Sequence, residues 1–335
     1  MRLSHKIYQT IESIWWRKKQ PALLLRGLSQ LYKLGSKYDQ NQRCKHAIAP
    51  SLPLISIGNI TVGGSGKTPF TIWLAEQLKK HHFKPVILCR GDGGKQGSPQ
   101  LLDQHSLAKD VGDEAVVLHR MAHCPVISAQ DRVAASLMAA KHGDIILLDD
   151  GFQYRQLQRQ CDIVLVPDEG LGNGHLLPAG PLRESLESLN RADLIVRTGM
   201  GSSKPLTNNK EWHWHTKPQP LNDWLECGET APKSVVAVSA IARPQRFTQS
   251  LQDLGVHVET SYFFPDHHAF TEHDLHHIWK QNTAIAVTAK DAVKLLDIWP
   301  KNRPLWVLEQ GFEAQEGLIT AISACLAIGA NKQQC

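Results

Sequence analysis

The residues with the clearest capacity for chemistry lie in the segment VGGSGKT, residues 62–68. Glycines at three of these positions allow backbone N–H groups to point into one concavity, where they bind an anion. Lys67 adds a cation for the β- and γ-phosphates of a nucleotide, and the Thr68 hydroxyl is a ligand for Mg²⁺. The segment predicts a phosphate-binding loop made of Thr61, Val62, Gly63, Gly64, Ser65, Gly66, Lys67 and Thr68.

This loop departs from the strict pattern G-x-x-x-x-G-K-[ST], because Thr61 stands where the first glycine belongs. The alternative is a tight strand–helix turn that binds nothing. The flanking elements favour the phosphate loop, since an apolar strand (54–60) precedes it and a helical pattern (68–80) follows it. The helix N-terminus adds a positive dipole end to the predicted site.

Paired carboxylates follow a second apolar run, DIILLDDGFQ, residues 144–153. Asp149 and Asp150 end this predicted strand, which is where the acidic Mg²⁺ ligand of a phosphate-loop enzyme lies. An aspartate at a strand end also commonly caps a turn. Together with GGSGKT, these residues predict a nucleotide triphosphatase or kinase that uses Mg²⁺, with Thr68, Asp149 and Asp150 as metal ligands.

Short apolar runs alternate with helical patterns through most of the chain, which predicts α/β architecture with parallel sheets buried on both faces. We expect a phosphate-loop NTPase-type domain at 46–200. A second, smaller α/β domain at 201–335 begins with a linker hairpin and ends in a helix. Residues 1–45 form a separate basic segment.

The N-terminal segment contains ten basic and two acidic residues, a net charge of +8, whereas the whole chain carries +5. Basic character confined to one segment argues against a nucleic-acid-binding protein. Apolar residues recur at helical spacing, from Ile7 to Trp16 and from Leu23 to Leu34, with lysines and arginines between them. An amphipathic helix of this kind lies in a membrane interface; the alternative is an ordinary surface helix. No apolar run is long enough to span a bilayer.

The guanine-reading signature N/T-K-x-D is absent, since TAKD (288–291) and NKQQ (331–334) both miss it. This lowers the hypothesis of a GTPase. An ATP enzyme with a basic amphipathic N-terminus favours a phosphoryl acceptor carried in a membrane.

In nine sequence segments, the chain resembles the tetraacyldisaccharide 4′-kinases of bacterial lipid A synthesis. The resembling segments are GNITVGGSGKTPF (58–70), RGDGG (90–94), VGDEAVVL (111–118), QDRVAA (130–135), LLDDGFQYRQL (147–157), GNGHLLPAGPLRE (172–184), ARPQRF (242–247), FPDHHAF (264–270) and TAKDAVK (288–294). Thr61 is the form of the loop typical of that family. Three positions depart from its usual residues: Asp92 stands in place of an aromatic residue, Tyr154 in place of histidine and Ala289 in place of glutamate.

The resemblance implies transfer of the γ-phosphate of ATP to the 4′-hydroxyl of a tetraacyldisaccharide 1-phosphate, giving lipid IVA. It further implies a lipid disaccharide substrate and an anionic membrane surface as partners, at the cytoplasmic face of the inner membrane. No protein partner is implied. The rival function is a phosphate-loop switch or metal-insertion NTPase without a lipid acceptor.

The resemblance also implies a catalytic pair, Asp113 of VGDEA with a histidine of DHH. By sequence alone Asp113 reads equally well as a helix N-cap. We favour His267 over His268, because His267 directly follows Asp266. The matching motifs place further residues near substrate, nucleotide or metal: Glu114, Arg132, Gln153, Arg183, Glu184 and His268. For Arg132, Arg183 and Glu184, the alternative is an ordinary surface or interdomain ion pair.

Residues 266–277 contain five histidines, so a zinc site is a rival interpretation of this region. His273 and His277 are one helical turn apart, but no cysteine is near and the HEXXH pattern is missing. Surface histidines on a helix are the simpler interpretation of His273, His276 and His277.

Overall fold

The computed structural model describes residues 11, 13–16, 20–94, 97–199, 205–207, 210–279 and 283–329. The elements, in chain order, are α1 (Leu23–Lys45), β1 (Leu54–Gly58), α2 (Lys67–Lys80), β2 (Pro85–Cys89), β3 (Gln100–Leu101), α3 (Ala108–Val111), α4 (Asp113–Ala122), β4 (Val126–Ser128), α5 (Arg132–Ala139), β5 (Ile145–Asp149), β6 (Cys161–Pro167), a 3₁₀ helix (Leu186–Arg191), β7 (Leu194–Thr198), β8 (Glu211–Asp223), β9 (Ser234–Ser239), α6 (Pro244–Asp253), β10 (His257–Phe263), α7 (Glu272–Ile278), β11 (Ile285–Thr288), α8 (Ala289–Leu295), β12 (Trp306–Ala314) and α9 (Leu318–Gly329).

Two compact units make up the chain, and neither is contiguous. Unit 1 contains the residues up to 89, residues 131–215 and the residues from 314 onward; unit 2 contains 90–130 and 216–313. These boundaries differ from the contiguous division expected at 45 and 200. The predicted C-terminal helix, α9, belongs to unit 1, and residues 90–130 belong to unit 2. A strand pattern locates strands along the chain, but it does not say which sheet each strand joins.

Unit 1 is built on a parallel sheet with the strand order β8–β7–β6–β1–β5–β2. All residues of β1, β2, β5 and β6 are buried, as expected for parallel strands covered on both faces. Ile57 of β1 pairs with Asp149 of β5. The phosphate loop and the paired aspartates therefore leave the sheet side by side, at the carboxyl ends of adjacent strands.

Unit 2 contains the strand order β10–β9–β11–β12, with parallel pairing of β10 with β9, β9 with β11, and β11 with β12. The pattern analysis missed β10, whose residues alternate between exposed and half-buried. The hairpin expected in 201–220 falls partly outside the described residues, and residues 211–223 form the single strand β8. The chain passes between the units within β8 and again within β12.

Helix α1 is anchored in unit 1 by a few polar contacts. The Ser29 hydroxyl donates to the Leu176 carbonyl (2.8 Å) and accepts from the Ala179 N–H (3.1 Å), and the Tyr32 hydroxyl donates to the Arg183 carbonyl (3.1 Å). The opposite side of the helix exposes a row of large apolar residues, here named the apolar face of α1: Leu23, Leu24, Leu28, Leu31, Leu34 and Tyr38.

The earlier part of the predicted amphipathic helix is described only at residue 11 and residues 13–16, and Ile7, Tyr8 and the basic residues 17–19 lie outside the described part of the chain. Within the described part, the indole N–H of Trp15 donates to the Pro178 carbonyl at 3.0 Å. None of the described helices is long and apolar enough to cross a membrane.

Candidate active site

The phosphate loop joins β1 to α2, and its backbone requires glycine at two points. Gly63 and Gly66 have φ angles of 103° and 81°, in the left-handed region that glycine adopts without steric cost. Gly58, at the end of β1, has no room for a side chain, because a Cβ atom there would lie 2.4 Å from the Cβ of Phe152. The loop therefore leaves the strand in close contact with the segment that follows Asp150.

Lys67 is held at the mouth of this loop by two oxygen atoms. Its Nζ lies 3.3 Å from Oδ1 of Asn59 and 3.3 Å from Oδ1 of Asp150. Asn59 is fully buried and its amide donates to the Thr61 carbonyl at 2.8 Å. The side chain of Gln153 donates to the Asn59 carbonyl at 2.8 Å. Asn59 thus orients the lysine, a role that the sequence analysis missed although Asn59 lies in the quoted motif.

The segment PAGPLRE runs beside the phosphate loop and braces it. The Val62 N–H donates to the Pro181 carbonyl, and the Arg183 N–H donates to the Ile60 carbonyl, both at 2.8 Å. This pairing accounts for the position of Arg183, whose guanidinium contacts the two carboxylate oxygens of Asp150 at 3.1 and 3.3 Å.

The paired aspartates occupy different environments. Asp149 is buried and accepts a hydrogen bond from the Thr71 hydroxyl at 3.0 Å. Asp150 adopts a left-handed backbone (φ 51°) that turns its carboxylate toward Lys67 and Arg183. Burial by itself would raise the pKa of Asp150, but the charges of these two cations hold that pKa far below its ordinary value. Asp150 is therefore ionised at any working pH.

Arg132 and Glu184 are buried in unit 1, away from the exposed surface where ordinary ion pairs lie. The Arg132 guanidinium donates to the Asp150 carbonyl (3.0 Å) and lies 5.0 Å above the ring of Tyr154. The Tyr154 hydroxyl also accepts from the Arg132 N–H at 3.1 Å. Tyr154, which differs from the usual residue of the similar family, therefore supports Arg132. Glu184 pairs with Arg191 through Oε2 at 2.7 Å.

Several buried polar atoms in these segments have no hydrogen-bond partner among the described residues: Ser65 Oγ, Arg132 Nε, Gln153 Oε1 and Glu184 Oε1. Leaving a buried polar atom unpaired destabilises a folded protein, so each of these atoms requires a partner from a ligand, an ion or water. The set combines donors suited to phosphate oxygens with acceptors suited to hydroxyl groups or a cation.

In unit 2, Asp113 is the first residue of α4 and is placed there by a close backbone approach. Gly112 has a φ angle of 91°, and a Cβ atom at that position would lie 2.7 Å from the Asp92 carbonyl oxygen. The loop RGDGG therefore packs directly against the start of α4. Only the backbone of Asp92 enters this approach.

The buried carboxylate of Asp113 contacts His267, as the family resemblance implied. Oδ2 of Asp113 lies 3.2 Å from Nδ1 of His267, and Oδ1 accepts from the Glu114 N–H at 2.9 Å. His267 adopts a left-handed backbone (φ 61°), which is uncommon for a residue with a side chain and marks a conformation held by its surroundings. His268 instead bonds Asp274 at 3.1 Å and stacks on Phe264.

Lys290 completes this cluster and was not identified as a site residue from the sequence. Its Nζ lies 3.2 Å from Nε2 of His267, 3.4 Å from Oε1 of Glu114 and 3.8 Å from Oδ2 of Asp113. Lys290 lies in the first turn of α8, where the Thr288 side chain accepts from the Asp291 N–H as the N-cap. We name Asp113, His267 and Lys290 the Asp–His–Lys cluster.

His267 and Lys290 both stabilise the ionised carboxylate of Asp113. Burial raises the pKa of Asp113, but the hydrogen bond from His267 and the charge of Lys290 outweigh it, and the net pKa lies below the ordinary value. The hydrogen bond to Asp113 raises the pKa of His267, and the Lys290 charge partly opposes that rise. Because an ammonium donates only, Lys290 makes Nε2 of His267 the acceptor, which leaves the imidazole proton on Nδ1 facing Asp113.

The zinc interpretation of the histidine-rich segment gains no support. Within the described ranges, no group of three closely spaced metal-ligating side chains includes His273, His276 or His277. The ring of His277 packs edge-on against Tyr262 instead.

Comparison with known proteins gives concordant matches. The family model for the tetraacyldisaccharide-1-P 4′-kinases (LpxK) matches residues 21–327. A tetraacyldisaccharide 4′-kinase from Nitrosococcus oceani is 38% identical over 299 residues, covering 86% of this chain and 87% of that protein. One from Psychromonas ingrahamii is 36% identical over 314 residues, covering 90% and 95% respectively.

Among solved structures, the chain is similar to the crystal structure of LpxK from Aquifex aeolicus in complex with ATP. The TM-score is 0.75 at 26% sequence identity, and the match covers 90% of this chain and 98% of the other. The similarity therefore extends through both units.

Proposed function

Because the chain belongs to the tetraacyldisaccharide 4′-kinase family, it is an ATP-dependent kinase of lipid A biosynthesis, and we propose a division of the reaction between its two units. Unit 1 binds the triphosphate and metal, and the Asp–His–Lys cluster of unit 2 takes the proton of the acceptor hydroxyl. The observation that carries this proposal is the 3.2 Å contact between Asp113 and His267, which provides acid–base chemistry that ATP binding alone does not need.

ATP binding is assigned to Thr61–Thr68. The loop amides and the N-terminus of α2 surround the phosphates, and Lys67 exchanges its contact with Asp150 for phosphate oxygens. The unpartnered Ser65 hydroxyl and Arg132 Nε are donors that the triphosphate satisfies. When Lys67 moves to the phosphates, Arg183 stays paired with Asp150. The Asp150 carboxylate therefore keeps a cationic partner.

The residues present also fit Mg²⁺, the metal implied for this chemistry. Thr68, in the first turn of α2, and Asp149 and Asp150, at the carboxyl end of β5, are hard oxygen donors, the ligand type that Mg²⁺ prefers. A bound Mg²⁺ neutralises charge on the β- and γ-phosphates. Asp149 is the better direct ligand, because Asp150 stays paired with Arg183 when Lys67 moves to the phosphates.

Proton transfer is assigned to His267, with Asp113 behind it. The imidazole is half exposed whereas the carboxylate is buried, so the acceptor hydroxyl reaches His267 first. We place the 4′-hydroxyl at Nε2, where it replaces Lys290. The proton passes to Nε2 as the hydroxyl oxygen bonds to the γ-phosphorus and the bond from that phosphorus to the β,γ-bridging oxygen breaks, so that ADP leaves. Asp113 stabilises the resulting imidazolium through the Nδ1 proton.

The remaining candidates are given positioning roles. Arg132 and Gln153 contact the loop and Asp150 in unit 1, where they orient nucleotide or acceptor. Glu184 holds Arg191 and presents its unpartnered Oε1 to the substrate, and Glu114 fixes Lys290. His268 supports the neighbouring backbone through Asp274 and does not take part in proton transfer.

The lipid acceptor resides in a bilayer, and we assign the apolar face of α1 to the anionic membrane surface at the cytoplasmic side of the inner membrane. Leu23, Leu24, Leu31, Leu34 and Tyr38 are each at least 66% exposed. A row of exposed leucines along a helix in a segment of net charge +8 suits insertion among lipid headgroups.

The decisive assay supplies ATP, Mg²⁺ and tetraacyldisaccharide 1-phosphate in detergent and follows the lipid by mass spectrometry. We expect one added phosphate on the disaccharide, and loss of the product in Lys67→Ala. ATP hydrolysis at the same rate with and without lipid, with no phosphorylated lipid, would instead favour the rival switch or metal-insertion NTPase.

A further inference from the structure

A second group of reactive side chains lies in unit 1 and has no part in phosphoryl transfer. Cys161 is the first residue of β6, Asp193 directly precedes β7, and Cys325 lies in α9. The two sulfur atoms and one carboxylate oxygen all lie within 4.8 Å of one another. We propose that Cys161, Cys325 and Asp193 form a structural binding site for a soft divalent cation of the zinc type.

The spacing suits tetrahedral coordination. With Zn–S distances of about 2.3 Å and Zn–O distances of about 2.1 Å, the ligand atoms of a tetrahedral site lie roughly 3.6–3.8 Å apart. Because no two of the ligand atoms are more than 4.8 Å apart, the group reaches that geometry by side-chain rotations that shorten each distance by about 1 Å or less. Two thiolates with one carboxylate favour zinc over magnesium or calcium, which take oxygen ligands only.

The surrounding backbone holds the ligands in place before any metal binds. Oδ2 of Asp193 accepts from the Asp162 N–H at 2.9 Å, and the Asp193 N–H donates to the Asp162 carbonyl at 2.9 Å. The Cys325 thiol donates to the Gln160 carbonyl at 3.6 Å. A water molecule is the fourth ligand, as in zinc sites that have three protein ligands.

The helix that carries Cys325 is pressed closely against the sheet at this point. A Cβ atom on Gly329 would lie 2.2 Å from the Gln160 carbonyl oxygen. Leu318 and Ile322 are buried on the same side of α9 as Cys325. A metal at Cys161 and Cys325 therefore fastens α9 to the first residue of β6.

The position in the fold indicates a structural role. β6 runs parallel to β1, and Cys161 pairs with Ile55 near the start of that strand. The phosphate loop leaves β1 at the other end, after Gly58. The cation is thus separated from the phosphates by the length of strand β1. Removing the cation therefore leaves phosphate binding by the loop intact.

The test is metal binding by the full-length, tag-free chain, reduced with a phosphine and freed of metal. Co²⁺ is the probe, because cobalt–thiolate coordination gives near-ultraviolet absorption bands that carboxylate or histidine ligation does not. We expect one Co²⁺ per chain with these bands, displaced by one equivalent of Zn²⁺. Cys325→Ser should lose the bands, and Asp193→Asn should bind Co²⁺ about tenfold more weakly.

Cys227→Ser, in unit 2, is the matched control and should bind Co²⁺ like the parent. Circular dichroism verifies that each variant is folded, and the melting temperature should rise with Zn²⁺ in the parent but not in Cys325→Ser. Absence of thiolate bands in the reduced parent overturns the proposal. So does a Cys161–Cys325 disulfide found by peptide mapping if the reduced chain takes up no zinc.

Discussion

Nδ1 of His267 lies 3.2 Å from Oδ2 of Asp113, although 154 positions separate the two residues along the chain. Asp113→Asn and His267→Ala should each lower kcat by about 100-fold or more, because they remove the proton acceptor or the group that stabilises its charged form. The KM for ATP should change little. Steady-state kinetics at saturating lipid measures both constants.

The matched controls for that prediction are His268→Ala and the exposed His276→Ala in α7. His276→Ala should leave kcat unchanged, and His268→Ala should lower kcat less than His267→Ala does. If His268→Ala were the more damaging change, or if Asp113→Asn altered only ATP binding, the assigned roles would be wrong.

The pH dependence of kcat/KM should report on the Asp–His–Lys cluster. The pKa of His267 lies above its ordinary value of 6.5 because of the hydrogen bond to Asp113, so activity should rise as pH increases through that higher value and neutral imidazole forms. Lys290→Met removes a charge that opposes the rise. The acidic limb should therefore move to higher pH in Lys290→Met, and an unchanged limb would show that Lys290 does not act on His267.

The same pKa shifts predict a pH window for stability. Asp113, with its lowered pKa, contributes stability above its ordinary value of 3.8 and loses it as pH falls through the folded-state pKa. His267, with its raised pKa, contributes fully below 6.5 and loses its contribution as pH rises through its folded-state pKa. Asp113→Asn should thus lower the urea midpoint most between pH 3.8 and pH 6.5, where both contributions are present. If the difference in urea midpoint between parent and variant were constant from pH 4 to pH 9, the coupling between the two residues would be contradicted.

The two adjacent aspartates should separate in their dependence on magnesium. Asp149→Asn should raise the Mg²⁺ concentration needed for half-maximal activity by roughly 10–100-fold, the usual range for a disturbed metal site. Asp150→Asn should act mainly on nucleotide affinity, because Lys67 and Arg183 lose their shared counter-charge. If Asp150→Asn raised the Mg²⁺ requirement and Asp149→Asn changed mainly nucleotide affinity, the roles of the two carboxylates would be the opposite of those assigned.

Binding to vesicles tests the apolar face of α1. Leu24→Glu with Leu31→Glu should reduce flotation with anionic vesicles, and the reduction should persist at high salt, where the electrostatic attraction is screened. ATP affinity should not change. Leu137→Glu is the matched control, because Leu137 is 65% exposed but lies in α5. Equal flotation of the parent and the Leu24→Glu, Leu31→Glu double variant would assign membrane binding to another surface.

Strands β1, β2, β5, β6 and β7 and the glycine-rich loop were predictable from local pattern, since apolar runs and glycine spacing appear in consecutive residues, whereas β8 was expected to be part of a hairpin. Family membership and ATP-dependent kinase activity, expected from the quoted motifs, are confirmed by the family match. The composition of the Asp–His–Lys cluster was only partly predictable. Lys290 reaches His267 and Glu114 through the packing of α8 beside α4, and no local pattern encodes that contact.

Asn59 and Tyr154 were missed for a related reason. Asn59 acts through one amide oriented toward Lys67, and Tyr154 acts by lying beneath Arg132, so both effects depend on side-chain direction. The unit boundaries were unpredictable because residues 90–130 and 216–313 belong together only after folding. Sequence periodicity carries no information on that association.

The placement of β1 in the middle of its sheet has a consequence for synthesis on the ribosome. β1 ends at Gly58, but both of its partners come much later, β5 from Ile145 and β6 from Cys161. The nascent chain therefore carries an unpaired, largely apolar strand through the translation of nearly all of residues 59–144. Such a strand is a site for chaperone binding and for aggregation, and slowing translation before residue 145 should prolong its exposure.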